Sequence, residues 1–103
     1  MQFIIIYITH KNLKEAKKVA ETLLRDRLIA CVNYFPIESA YWWQGNIENA
    51  KEIVSLVKTR KENWMKVKKA VEAMHPYETP CIMRLEVESN PAYADWIKKE
   101  TKG

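Results

Sequence analysis

Two glycines in 103 residues leave no room for a phosphate-cradling loop. The GxxxxGK[ST] and GxGxxG patterns need several glycines close together, because only a residue without Cβ lets backbone come that near a phosphate. Cysteine is as scarce. Cys31 and Cys81 make no CxxC pair, which excludes a thioredoxin-like couple and a two-cysteine copper-chaperone site. Both sit in strand-like apolar stretches and are expected as buried free thiols. Long apolar runs are missing too. The longest, Phe3 to Ile8, falls far short of the roughly 20 residues that cross a bilayer. It also lacks the basic flank and small-residue cleavage site of a secretory signal, so a cytoplasmic protein with no membrane partner is expected.

No sign of charge dominates either. Seventeen basic residues face thirteen acidic ones, for a net charge of +4. The lysines of the helix-like stretches (Lys11, Lys14, Lys17, Lys18; Lys66, Lys68, Lys69) lie beside Glu15, Glu21, Glu62 and Glu72, the mark of a solvated face rather than a nucleic-acid footprint. The preference for Lys and Glu is that of heat-adapted, thermostable proteins. With no repeat and no low-complexity tract, residues 1–103 are expected to form one domain around one modest core.

What is present is a regular succession of elements. Phe3 to Ile8 predicts a strand. Asn12 with Glu15 is an asparagine variant of the capping box, and Leu13, Ala16, Ala20, Leu23 and Leu24 follow at helical spacing, to an end near Arg27. Ile29 to Phe35 predicts a strand stopped by Pro36. Ser39 to Trp43 and Ile47 to Lys58 flank Gln44-Gly45-Asn46 as a hairpin. Thr59 with Glu62 predicts a second capping box, and Trp64, Val67, Val71 and Met74 mark a second buried stripe that ends at His75-Pro76. Cys81 to Glu88 alternates as a strand. Asn90-Pro91 opens a last helix whose sticky side is Tyr93, Trp96 and Ile97.

The order β-α-β-β-α-β plus a terminal helix is the α+β, ferredoxin-like (split β-α-β) plan. Both main helices of that plan cover one face of the sheet, yet the first strand, the hairpin and half the fourth strand are apolar on both faces. An open apolar face of several hundred square ångströms is unusual on a monomer, and the simplest cover is another copy of the chain.

Candidate chemistry is sparse. A Cys–His pair from Cys31 or Cys81 with His75 has nothing local to activate the thiol, so a non-enzyme is expected. RNA-binding domains of this plan stack bases on aromatics of the central strands. Here Tyr34, Phe35, Tyr41, Trp42 and Trp43 lie mostly on the hairpin, which reads as interface core rather than a nucleic-acid platform. The metal-ligating types, His75, His10, Cys31, Cys81, Met74, Met83, Glu48, Glu52 and Glu78, show no tight ligand spacing. His10 is placed in the loop after the first strand.

Four stretches, "RLIACVN" (27–33), "YWWQGNIENAKEIVSLVKT" (41–59), "HPYETP" (75–80) and "YADWI" (93–97), in this order and spacing, resemble the CutA divalent-cation tolerance proteins over essentially the whole chain. The resemblance implies a homotrimer similar to the PII signalling proteins, whose long hairpins reach neighbouring subunits. It also implies a role in tolerance of divalent ions, copper above all. The copper site proposed in bacterial relatives uses a cysteine near the end of the first strand and a histidine pair before "PY". Here Ile8 and Met74-His75 occupy those places, and His75 alone matches as a ligand for Cu²⁺ or another divalent cation. No cofactor is required. His75, Tyr77 and Glu78 are expected to line a subunit–subunit cleft with Trp42, Trp43, Lys58 and Cys31, either as interface hydrogen-bonding groups or as holders of a cation or small anion. A small-ligand signalling module or an RNA-binding module is the alternative function.

Overall fold

A computed structural model describes residues 2–102. Strand β1 (Phe3–His10) leads into helix α1 (Leu13–Arg25), then β2 (Cys31–Trp43) and β3 (Asn46–Thr59). A short 3-10 turn (Lys61–Asn63) precedes α2 (Trp64–Met74), and β4 (Ile82–Val87) and α3 (Pro91–Glu100) complete the chain. All strand pairs are antiparallel, in the order β2-β3-β1-β4. This is the split β-α-β plan.

Local chemistry accounts for most of the elements. Asn12 Oδ1 accepts from the Glu15 backbone N–H at 2.9 Å and starts α1, as its side chain can do for one of the unpaired first-turn donors. Ala16, Val19, Ala20 and Leu23 form the buried stripe of that helix. Val19 and Leu23 meet Ile4, Ile6 and Ile8 of β1, Val57 of β3, and Val67 and Val71 of α2 in the main core. Each of the fully buried isoleucines contributes about 2–3 kcal/mol by removal from water.

Three boundaries differ from the sequence pattern. Strand β1 continues through Thr9 to His10, because both residues pair with β3. Pro36 does not stop β2, which runs unbroken past it. The strand is at the edge of the sheet, where a missing N–H deprives no neighbour of a ladder bond. Thr59 is the last residue of β3 rather than a helix cap. Its hydroxyl donates to the Leu28 carbonyl at 2.6 Å, Asn63 Nδ2 donates to Thr59 Oγ1 at 3.2 Å, and α2 starts without a side-chain cap.

The hairpin outruns the sheet. Strand β1 pairs with residues 53–59 of β3, so residues 46–52 pair with β2 alone and stand out as a two-stranded arm. The turn places Gln44 at φ 50° and Gly45 at φ 82°, the positive values that a two-residue turn of primed type requires.

Register assigns the faces. Ile4, Ile6, Ile8 and His10 look toward α1 and α2. Ile5 and Tyr7 look the other way, opposite Met83 and Leu85 of β4 and Leu56 of β3. Helix α3 covers only one end of that second face, through Phe3, Ala94 and Ile97 packed with Ile5, Cys31 and Val87. Arg60 pins α3 there by donating to the carbonyls of Lys98 and Thr101.

Candidate functional site

The "HPYETP" segment follows α2, and its histidine caps that helix in extended geometry with its N–H on the Val71 carbonyl. His75 is 8% exposed, and both its ring nitrogens are engaged. Nε2 lies 2.7 Å from the Thr9 carbonyl, which can only accept, so Nε2 carries the proton. Nδ1 then accepts the Tyr77 backbone N–H at 3.2 Å. This arrangement defines a neutral ring in one tautomer.

Two more rings pack against it. His10 stacks on His75 at a centroid distance of 5.3 Å, and Tyr77 meets His75 edge-on at 4.6 Å. His10 is 1% exposed, and its Nε2 hydrogen-bonds Ser55 Oγ at 2.8 Å. Its Nδ1 is buried with no partner among the described residues. Burial pushes the His10 pKa down to about 4, with the neighbouring His75 adding to the shift and Glu52 opposing it. The Tyr77 hydroxyl donates to Glu52 Oε2 at 2.8 Å. Burial first, and then that bond to a carboxylate, raise the Tyr77 pKa well above its ordinary value.

In front of this group lies a cleft of about 950 Å³, bounded by the arm of the hairpin and by residues 77–81. Tyr41, Trp42, Trp43 and Tyr77 supply its rings. Glu38, Glu48, Glu52 and Glu78 supply its charge, and no lysine or arginine lines it. Cys81 also faces it as a free thiol, its pKa raised by burial and by Glu52. A second depression, about 540 Å³, lies by Pro36 and Ile37 and mixes Lys11 and Lys51 with Glu38 and Glu52.

Of the seven residues anticipated for a cleft, Trp42, Trp43, Tyr77 and Glu78 line this one, and His75 backs it. Cys31 and Lys58 stand elsewhere within the chain. They are cross-strand partners beneath α3, where the Tyr93 hydroxyl meets Cys31 Sγ at 3.4 Å and Lys58 Nζ at 3.2 Å. Cys31 is likewise a free thiol. His10 is not in a loop but at the buried end of β1, and its pairing with His75 is the contact that sequence reasoning missed. The signal available was its place two residues beyond Ile8, on the same side of the strand. Glu52 was visible only as one carboxylate among several.

The copper cradle proposed for bacterial relatives does not fit these residues. Ile8 is fully buried in the main core and Met74 packs against that core, so both places are apolar and closed. His75 has no free ring nitrogen. Among the described residues no three His, Cys, Asp or Glu side chains converge as a metal site.

Fold and site together define an α+β sandwich with an elongated hairpin arm and an acidic, aromatic cleft at its base. The family model of the CutA1 divalent ion tolerance protein matches residues 4–100. The divalent-cation tolerance protein CutA of Archaeoglobus fulgidus is 48% identical over 93 residues, 89% of this chain and 91% of the relative. That of Pyrococcus horikoshii is 42% identical over 100 residues, 96% of this chain and 98% of the relative. The solved structure of the periplasmic divalent cation tolerance protein CutA from A. fulgidus superposes with a TM-score of 0.94 at 44% identity, over 97% of this chain and 99% of that one. The divalent cation tolerance protein from Thermus thermophilus gives 0.92 at 37% identity, over 97% and 99%. The chain belongs to the CutA1 divalent ion tolerance family.

Proposed function

We propose that this protein is a non-catalytic binding module of the divalent-cation response and works as a homotrimer in the cytoplasm. The observation that carries the assembly is the inverted pattern of β4. Arg84 and Glu86 pair with the helix-facing residues of β1, and Arg84 lies over the Trp64 ring at 5.6 Å. Met83 and Leu85, each 48% exposed, look out from the uncovered face beside Ile5 and Tyr7. A solvated sheet face carries polar residues; an apolar one has a partner. The free-standing hairpin arm agrees, because a lone two-stranded ribbon is marginal in water. The arm and the sheet face are different surfaces, and a contact between unlike surfaces closes into a ring when its rotation permits.

The binding role rests on the cleft and on the chemistry around it. Tyr77 and His75 are tied into hydrogen bonds, and the raised pKa of Cys81 keeps it as a thiol rather than the reactive thiolate. The four carboxylates of the cleft oppose a phosphate backbone, which favours a small ligand over RNA. Two free thiols suit a reducing compartment. Copper is not a required cofactor in this reading; Cu²⁺ binds weakly, through His75 after its ring releases one of its two hydrogen bonds. Sedimentation equilibrium at micromolar concentration is expected to give three times the 12.2 kDa chain mass. A 12.2 kDa species would overturn the assembly.

A further inference from the structure

We propose that residues 75–80, "HPYETP", are a brace that fixes the direction of the hairpin arm, with Tyr77 as its positioning residue. The consequence for assembly rests on the homotrimer reading, because an arm held in one direction is prepared for its seat on a neighbouring copy. The geometry itself belongs to the single chain. His10 with Ile53 is the last pair between β1 and β3, so Glu52 is the first arm residue beyond that root. A ribbon of two strands is marginal by itself, and past this pair no third strand stops it from pivoting.

The brace holds β3 on both sides of the root. On the sheet side, His10 hydrogen-bonds Ser55 and stacks its ring on His75. On the arm side, the Tyr77 hydroxyl donates to Glu52 Oε2 at 2.8 Å. His75 ties the two together. Its Nε2 donates to the carbonyl of Thr9, one residue before the last pair, and its Nδ1 accepts the Tyr77 backbone N–H. Its own backbone N–H closes the last turn of α2. The circuit therefore runs from Ser55 through His10, His75 and Tyr77 back to Glu52, with every link inside one chain. Pro76 and Pro80 restrict the backbone on either side of Tyr77, so the hydroxyl is delivered with little freedom left to lose. Glu52 is 9% exposed before any neighbour covers it. A carboxylate in such a place requires donors, and removing one costs the desolvation of the group left behind. Without the Tyr77 hydroxyl, Glu52 recovers hydrogen bonds by turning to water, and that movement opens the root of the arm.

Hydrogen exchange of the intact protein, followed by mass spectrometry, reads the arm, and sedimentation of the same samples reads the assembly. Tyr77→Phe is expected to speed exchange in residues 36–54 about tenfold or more, through loss of a hydrogen bond to a charged group. Exchange in α1 and in residues 3–8 should stay as in the wild type. The concentration at which the trimer dissociates should rise by a similar factor. Glu52→Gln keeps an acceptor for the hydroxyl and is expected to behave much like the wild type. The double variant Tyr77→Phe/Glu52→Gln removes the buried charge along with its donor, so it should lie nearer the wild type than Tyr77→Phe does. Wild-type exchange in Tyr77→Phe would mean that Glu52 is held from the side of Lys11 and Lys51, and would overturn the proposal. Two other results would also overturn it: exchange that rises equally in α1 and β1, or a double variant that merely adds the two single losses. A wild type that sediments at 12.2 kDa removes the trimer, while exchange still decides the brace. A trimer whose arm ignores Tyr77→Phe sinks the brace alone.

Discussion

His10 and His75 touch face to face in a place that solvent barely reaches, and the consequence is a specific acid sensitivity. The ordinary histidine pKa of 6.5 falls to about 4 at His10, with His75 stacked on it, Glu52 opposing the shift and Ser55 on its Nε2. Above pH 6.5 the folded and unfolded chains both hold this ring neutral. Between 6.5 and about 4 the unfolded chain takes up a proton that the folded chain refuses, so stability falls as pH falls, by up to roughly 3 kcal/mol per chain. His10→Gln keeps a partner for Ser55 and cannot titrate. It is expected to lose less stability than the wild type between pH 7 and 4.5, read by urea denaturation at one fixed protein concentration. His75 presents a different test. Calorimetric titration with Cu²⁺ should give weak binding to the wild type and little to His75→Ala. Equal affinities would remove this ring from the metal chemistry altogether.

Among the elements, the hairpin concentrates both the architecture and its vulnerability. Its strands, residues 31–43 and 46–59, are the longest of the sheet, in a chain whose longest extent is 45 Å. The whole arm depends on one tight turn. Gly45 has φ 82°, and a Cβ built there would meet no atom within 4 Å. The penalty for a side chain is therefore backbone strain alone, and Gly45→Ala is expected to cost about 1 kcal/mol in thermal or urea denaturation without altering the core. A much larger loss would mean that the arm tip is buried against another surface. Pro36 carries the opposite lesson. The edge position of β2, a property of the sheet, is what makes a proline tolerable in the middle of its strand.

For the whole molecule the decisive quantity is what lies on the sheet face that α1 and α2 leave bare. Ile5, Tyr7, Leu56, Met83 and Leu85 form an apolar stripe there, and α3 shields only the end near Phe3. Leu85→Lys places a charge in the middle of that stripe while leaving the main core untouched, since Leu85 is 48% exposed in the single chain. Sedimentation is expected to shift this variant toward the 12.2 kDa monomer, with helix and strand content retained by circular dichroism. A variant as trimeric as the wild type would show that the face is not the interface.

Apolar periodicity, capping residues and turn residues act over a few positions, and they were enough to specify the element order, the split β-α-β plan and the apolar excess that points to a partner. Asn12 caps α1 as its spacing from Glu15 predicts, and Gln44-Gly45 turns the hairpin. The four matched stretches, spread over the chain, likewise carried the family. What the linear pattern could not decide is anything set by register between distant strands. Whether His10 faces core or solvent depends on its pairing with Ile53, and its contact with His75 spans 65 positions of chain. The union of Glu52 with Tyr77, 25 positions apart, and the separation of Lys58 from the cleft arise in the same way. Side chains alternate across a strand with period two, so a shift of one residue in register would have sent each of these groups to the other face. Only the assembled sheet determines that shift, because the helix packing and ladder bonds that select it come from every element at once.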